Sequence, residues 1–165
     1  MKRIGLTLLA LFALAQFIRP DTTAPTTDPA LDLIAVTQPS AEVAALLRAA
    51  CYDCHSNETK YPWYVNITPV NWWLQQHVNE GREEFHMSAW GGHKAKWQRH
   101  KAEEAVELVK KGEMPLDSYT WGHPEARLSD AQRVALTTYF TGLMNALPEA
   151  GAEQERAESG EHEAR

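Results

Sequence analysis

The chain contains only two cysteines, and both lie in one C-x-x-C-H pentapeptide at residues 51–55. This spacing is the attachment signature of a c-type haem. Two thiols three positions apart can each add across one vinyl group of the porphyrin, and the next residue then lies under the iron. The motif predicts Cys51 and Cys54 as covalent haem anchors and His55 as the proximal iron ligand. Because it occurs once, one haem c is expected.

Three other roles of the cysteine pair stay open at this point. A thioredoxin-type redox pair needs a βαβ context, and the sequence around Cys51 has no strand alternation. A structural zinc site needs four protein ligands, which usually come from two such pairs. A disulfide between Cys51 and Cys54 would close a loop too small to stabilise the fold much.

The N-terminal segment, residues 1–19, has the pattern of an export signal. Lys2 and Arg3 precede an apolar run over residues 4–18, and residues 13–15 form an A-x-A cleavage site. The segment is therefore either a cleaved signal peptide or an uncleaved membrane anchor. A helix over the run would be about 22 Å long, shorter than the ~30 Å hydrocarbon core. In both cases we expect the folded part in the cell envelope, on the periplasmic side.

Composition divides the rest of the chain into three parts. Residues 20–39 contain four prolines that block regular helix, which predicts a Pro/Thr-rich tether. Residues 149–165 hold six carboxylates, two arginines and no large apolar residue, which predicts an acidic disordered tail. Residues 40–148 remain for one haem-binding domain. Thirteen acids and eleven bases nearly balance in residues 41–148, which argues against a nucleic-acid partner.

Hydrophobic periodicity predicts an all-α domain, because no part of the chain shows sustained strand alternation. Local signals of capping, first-turn proline and terminal glycine mark the helix ends. Four helices are expected: residues 41–50, capped by Ser40 and leading into Cys51; a helix opened by Thr68 and Pro69 and ended by Gly81; residues 100–111, ended by Gly112; and a helix opened by a capping box of Ser129 and Gln132.

Several short motifs stand in order along the chain: residues 51–59, 61–64, 69–70, 77–78, 80–82, 112–115, Tyr119, 123–126 and 128–129. Together they closely resemble the bacterial haem-binding domain family, small exported proteins related to c-type cytochromes. The resemblance covers about residues 41–147. It implies haem binding in a small single-haem, cytochrome c-like helical domain, and it defines no partner or reaction. Residues 16–20 are also similar to the family's membrane-proximal end, which favours an uncleaved anchor.

The sixth iron ligand has two candidates. Thioether sulfur is a good ligand of low-spin haem iron, and Pro115 predicts an extended loop that can present Met114. Residues 112–115 are also similar to the distal segment of class I c-type cytochromes. His77 is the competitor, because it lies on the apolar face of a predicted helix. A methionine packed on the core and a structural histidine are the alternatives to ligation.

Other polar side chains are expected near the site. Arg82 is interpreted either as a partner of a haem propionate or as a surface charge. His123 is interpreted as a cap of the last helix or a propionate partner. The six tryptophans supply rigid walls for a porphyrin. A polar, glycine-broken stretch is expected to leave four side chains at the solvated surface: His86, Met87, His93 and His100.

These observations predict a monohaem electron-transfer cytochrome of the cell envelope with His/Met ligation, and not an enzyme. A six-coordinate iron has no open site for a substrate, whereas electron transfer needs only a haem edge near the surface. The expected partners are redox proteins of the envelope, with membrane contact through residues 1–19. The alternative is a peroxidase-like or haem-sensor protein, which requires an open or exchangeable sixth position.

Overall fold

The computed structural model describes residues 1–148, which form eight α-helices and no strand. The predicted all-α fold is confirmed, and the predicted disordered tail at 149–165 lies outside the described residues. The helices are α1 (Lys2–Ala15), α2 (Leu33–Thr37), α3 (Ala41–Ala50), α4 (Tyr52–His55), α5 (Val70–Glu84), α6 (Ala95–Lys111), α7 (Asp117–Gly122) and α8 (Asp130–Ala146). Four 3₁₀ turns lie between them, at Pro29–Leu31, Trp63–Asn66, Met87–Gly92 and Pro124–Ala126.

Helices α6 and α8 form the main packing pair of the domain, and α3 lies against α8. Their buried side chains, Leu47 from α3, Val109 from α6 and Phe140 from α8, belong to one hydrophobic core. Each such side chain contributes about 1.5–3 kcal/mol when it is removed from water. The core therefore gives α3 a rigid base, and α3 leads directly into the C-x-x-C-H motif.

Two predicted helix starts are confirmed. The Ser40 hydroxyl accepts a hydrogen bond from the Val43 N–H at 3.3 Å at the start of α3. At the start of α8, the Gln132 N–H donates to the Ser129 hydroxyl at 3.3 Å, and the Gln132 side chain accepts from the Ser129 N–H at 2.8 Å. These caps satisfy first-turn N–H groups that have no partner within the helix.

Three other predictions of helix ends are wrong. Helix α5 does not end at Gly81 but continues to Glu84, and Thr68 does not cap it. The Thr68 hydroxyl instead accepts from the Asn71 side chain at 3.0 Å. Helix α6 begins at Ala95 rather than at residue 100. Its extra first turn carries Trp97, which packs against the core, and tertiary packing of this kind extends helices beyond their local signals.

Residues 20–39 contain helical structure that the prolines were expected to prevent. That expectation is wrong for α2, because the prolines lie outside its five residues. Leu33 of α2 is fully buried, and Asp32 accepts a hydrogen bond from the Tyr52 hydroxyl at 2.8 Å. The Asn57 side chain donates to the Pro25 carbonyl at 2.7 Å. The segment thus lies on the domain, while the division of the chain into tether and domain stays a prediction.

Helix α1 covers most of the predicted export signal, and none of its residues is buried. Its leucines are all more than half exposed. Within residues 1–148, no helix combines the length and the apolar character needed to cross a bilayer.

Candidate cofactor site

Helix α4 carries the last four residues of the C-x-x-C-H motif, and Cys51, the first, is the single residue between α3 and α4. The Cys51 N–H donates to the Leu47 carbonyl, and the His55 N–H donates to the Cys51 carbonyl, both at 2.9 Å. Tyr52, the second residue of the motif, is 1% exposed and belongs to the hydrophobic core. The core therefore holds the motif as a helical continuation of α3.

Both motif cysteines are half-buried, and no disulfide joins them in this structure. Burial raises the pKa of the Cys51 thiol to about 12 and that of the Cys54 thiol to about 11. Both thiols are then protonated at neutral pH, unlike the reactive thiolate of a redox pair. Residues 1–148 contain no strand for a βαβ unit and no cluster of three His, Cys, Asp or Glu that could hold a metal ion. The thioredoxin and zinc alternatives are therefore disfavoured.

The His55 ring is oriented by two backbone carbonyl groups. Its Nδ1 lies 2.7 Å from the Gly81 oxygen and 3.2 Å from the Phe85 oxygen. Carbonyl oxygens only accept hydrogen bonds, so Nδ1 carries the hydrogen and Nε2 keeps a free lone pair. Burial lowers the pKa of His55, which favours the neutral ring. A neutral imidazole whose other nitrogen is hydrogen-bonded to a carbonyl is the arrangement found in metal-ligating histidines.

Gly81 allows α5 to lie directly against α4. A β-carbon at this position would stand 2.7 Å from the Cys54 carbonyl oxygen and 3.0 Å from the Cys54 Cβ. No side chain fits that space, because the nearest atoms include rigid backbone. Gly81 therefore serves a close helix contact and not the predicted helix end, and the same contact brings its carbonyl to His55.

Two cavities meet at His55, with volumes of about 270 and 340 Å³. These volumes lie around the lower end of the range of small-molecule and cofactor pockets, about 300–1,000 Å³. His55 and Met114 line both of them. The first cavity extends between α4, α6 and α8 along Cys51, Met87, Lys101, Leu108 and Phe140. The second extends between α4, α5 and α7 along Cys54, His77, Glu80, Leu116 and Tyr119.

Met114 reaches these cavities because α6 ends at Lys111, three residues earlier. Gly112 closes α6 with a left-handed conformation, φ 76°, that favours glycine. The Met114 N–H then donates to the Leu108 carbonyl at 3.2 Å. On the other side, the Arg133 guanidinium donates to the Val109 carbonyl at 3.1 Å and to the Met114 carbonyl at 3.5 Å. The loop that carries Met114 is thus fixed to the end of α6 and to α8.

His77, the competing ligand, lies on α5 and lines the second cavity but not the first. Its Nδ1 donates to the Trp73 carbonyl one helical turn earlier at 2.8 Å, and its ring lies 4.5 Å from the Trp73 ring. The two candidates therefore differ in placement. Met114 shares both cavities with His55, whereas His77 shares one.

Arg82 lies on α5 and points toward the segment that follows the motif. Its Nε donates to the Ser56 carbonyl and its Nη2 to the Thr59 hydroxyl, both at 2.9 Å. The side chain is buried and is not among the residues that line either cavity at His55. Its contacts fix residues 56–59 after the motif, and its predicted pairing with a propionate stays a prediction.

Two side chains of the first cavity were not expected there. Met87 was expected at the solvated surface, which is wrong, because it is 2% exposed and belongs to the core. The 3₁₀ turn that carries it packs on α2, a contact that no local pattern signals. Lys101, with a side chain only 13% exposed, contacts Glu104 at 2.7 Å and Glu84 at 3.3 Å. Although burial opposes it, these two carboxylates raise the pKa of Lys101, which keeps it charged.

Within residues 1–148, the other histidines outside the motif also have protein partners. The His86 ring contacts the Asn57 side chain at 2.9 Å, His93 stacks on Trp97 at 3.7 Å, and His100 lies 3.3 Å from Glu104. The remaining one, His123, does not cap α8 as one interpretation had it, because Ser129 does. It stacks on the ring of Tyr119 with a centroid separation of 4.1 Å.

The donors at this site fit a haem. One thiol lies in each of the two cavities that His55 lines, the His55 Nδ1 is taken up by the Gly81 carbonyl so that Nε2 is left as a donor, and the Met114 thioether lies in the same pair of cavities. A family model described as a haem-binding domain matches residues 10–142, from the second half of α1 into α8. Comparison with curated proteins and with solved structures gives no significant match.

Proposed function

Because this chain belongs to the haem-binding domain family, we propose that it carries one covalent haem c and transfers single electrons in the cell envelope. Cys51 and Cys54 form the thioether bonds. His55 is the proximal iron ligand and Met114 the distal one. The protein is an electron carrier and not an enzyme, and its partners are redox proteins of the envelope.

One observation carries this proposal: His55 and Met114 line the same two cavities, with Cys51 on one and Cys54 on the other. A c-type haem needs its thiols beside the proximal histidine and a sixth ligand across the porphyrin plane. An imidazole paired with a thioether gives a six-coordinate iron suited to electron transfer.

Each residue has a defined task in this proposal. The bound haem supplies an iron that accepts and releases one electron. The Gly81 carbonyl keeps the hydrogen of His55 on Nδ1, so that Nε2 faces the cavity. The Tyr119 hydroxyl donates to the Asp53 carboxylate at 2.8 Å and so joins α7 to the motif helix. This bond fixes the Met114 side of the cavity relative to His55.

The test is expression of the full chain together with a c-type cytochrome maturation system. The haem should remain on the chain through denaturing electrophoresis, and the double variant Cys51→Ala/Cys54→Ala should carry none. Extraction of the haem from the unaltered chain by acidified organic solvent would contradict covalent attachment. The ferrous protein should bind carbon monoxide slowly, because Met114 occupies the sixth position. Rapid binding to the unaltered protein would favour the peroxidase-like or sensor alternative instead.

The proposed location rests on the export signal and on the end of α1. The side chain of Gln16, the first residue after the A-x-A site, forms hydrogen bonds to both backbone groups of Thr68. An uncleaved chain keeps this contact attached to α1. A reporter fused after Leu147 should be active only outside the cytoplasm, and the chain should stay with membranes at high salt. Reporter activity in the cytoplasm would contradict the location.

A further inference from the structure

An exposed aromatic surface lies around the start of α5. Its members are exposed by 76% (Trp63), 37% (Val70), 40% (Trp72) and 48% (Trp73). The sequence over residues 59–79 contains no Asp or Glu and a single basic residue, Lys60. The whole chain, by contrast, carries 22 acids and 16 bases. Large indoles in a stretch without acids are atypical of a surface that faces only water.

The end of α1 is fastened to this aromatic surface. The Gln16 side chain donates to the Thr68 carbonyl at 3.1 Å and accepts from the Thr68 N–H at 3.0 Å. The Trp72 indole donates to the Ile18 carbonyl at 2.9 Å. The apolar, solvent-exposed α1 therefore leaves the domain directly beside the tryptophans and not at the end of a loose linker.

The length of α1 adds a constraint. Its 14 residues extend about 21 Å, which falls short of the ~30 Å hydrocarbon core. A short apolar helix is accommodated by local thinning of the bilayer and by flanking residues that favour the interface. Tryptophan is the side chain most typical of that layer, because its ring is apolar and its N–H is polar. The side chains next to the end of α1 are of this type.

From these contacts we propose that the aromatic surface of Trp63, Val70, Trp72 and Trp73 docks into the headgroup layer of the bilayer that α1 enters. The inference rests on the proposed envelope location. The surface has no acids to be repelled by anionic lipids, and Arg19, which donates to Asn66 at 3.0 Å, adds a positive charge at its edge. The domain then rests on the membrane in one orientation, set by two attachments: the apolar helix and the aromatic surface.

A photo-crosslink tests this contact in the full haem-loaded chain. A benzoylphenylalanine replaces Trp63 in one variant and Val134 in the other, and each is placed in vesicles of phosphatidylethanolamine and phosphatidylglycerol. Val134 is the matched control because it is apolar, 63% exposed and located on α8. Illumination should attach lipid at position 63 and not at 134. A chain that fails to float with the vesicles overturns both the location and this inference. A chain that floats but gives no lipid adduct at 63, or a protein dimer there, overturns this inference alone.

Charge substitution gives a second test. Trp63→Asp should increase extraction of the full chain from these vesicles by alkaline carbonate about tenfold, which corresponds to a loss of about 1.4 kcal/mol of attachment, since a carboxylate replaces an apolar ring at the docking surface. Val134→Asp should leave extraction unchanged. Equal extraction of Trp63→Asp and the unaltered chain contradicts the docking surface, and the iron spectrum of both variants verifies that the domain is folded.

Discussion

Gly81 of α5 and Cys54 of α4 are so close that a β-carbon on Gly81 would stand 2.7 Å from the Cys54 carbonyl oxygen. The same glycine accepts the His55 hydrogen bond through its own carbonyl. Gly81→Ala should therefore separate the two helices, lower the free energy of unfolding by about 1–3 kcal/mol and disturb His55. Denaturant unfolding and the visible spectrum measure the two effects.

Gly142 provides the control for that substitution. It lies in α8, and a β-carbon there would meet nothing within 4 Å. Gly142→Ala should leave the spectrum unchanged and should raise the stability by up to about 1 kcal/mol, because alanine favours helix. If both variants behave alike, the close contact does not position His55.

Met114 should be the residue whose loss changes the iron. We expect Met114→Ala to abolish the weak sulfur-to-iron charge-transfer band of the oxidised protein and to lower the reduction potential. Met114→His should keep a low-spin iron with a lowered potential, because imidazole stabilises ferric iron relative to thioether. Optical spectroscopy and redox titration measure both.

Two further variants test whether another side chain, rather than Met114, is the sixth iron ligand. Met87→Leu removes a second sulfur from the first cavity and should keep the band. His77→Ala removes the competing ligand and should also leave a low-spin iron. A high-spin iron in His77→Ala, together with an unchanged spectrum in Met114→Ala, would assign the sixth position to His77.

Tyr119 joins α7 to the motif helix through its 2.8 Å hydrogen bond to Asp53. Tyr119→Phe should cost about 1 kcal/mol of stability and speed carbon monoxide binding, because the Met114 loop loses this brace. Tyr139→Phe is the matched control. It removes a hydroxyl that contacts the Thr37 hydroxyl at 2.7 Å, away from both cavities at His55. The stability of Tyr139→Phe should fall by a similar amount without a change in the rate of carbon monoxide binding. Equal rates in the two variants would contradict a role of the Tyr119 hydroxyl in holding the Met114 loop.

His86 should make stability depend on pH. Burial, followed by the charges of Arg82 and His93, lowers its pKa below the ordinary 6.5. The unfolded chain then takes up the proton first, so the His86 contribution is full above about pH 6.5 and is lost as the pH falls. Denaturant unfolding between about pH 7.5 and 5 should show the unaltered chain losing stability relative to His86→Gln. A gain over that range would contradict the shift.

Local chemistry explains which features were predictable from the sequence. The caps at Ser40 and Ser129 use partners three residues away. Signals of this kind can be recognised from a short stretch of sequence, because all the residues involved lie within it. The predicted end of α5 at Gly81 was wrong for a different reason. A glycine inside an apolar pattern indicates either a helix end or a close contact, and only the position of Cys54 distinguishes the two.

The residues whose placement the sequence did not predict depend on partners far away in the chain. Lys101 lay inside the predicted helix over residues 100–111, but its place in the site depends on Glu84, which ends the neighbouring helix and contacts it. Met87 is buried because its turn packs on α2, which lies in a proline-rich segment. Both placements follow from tertiary packing, which propensities and periodicity do not encode.

The packing of residues 20–39 on the domain limits how far the protein can reach. A free chain of that length would extend about 70 Å and let a domain sweep a hemisphere above its membrane. Here Leu33 is buried and the Asn57 side chain donates a hydrogen bond to the Pro25 carbonyl, so residues 20–39 do not extend away from the domain. A membrane-held form must then meet its partners by diffusing sideways, in a two-dimensional search within the same leaflet. Any partner of such a form would have to approach it close to the membrane surface.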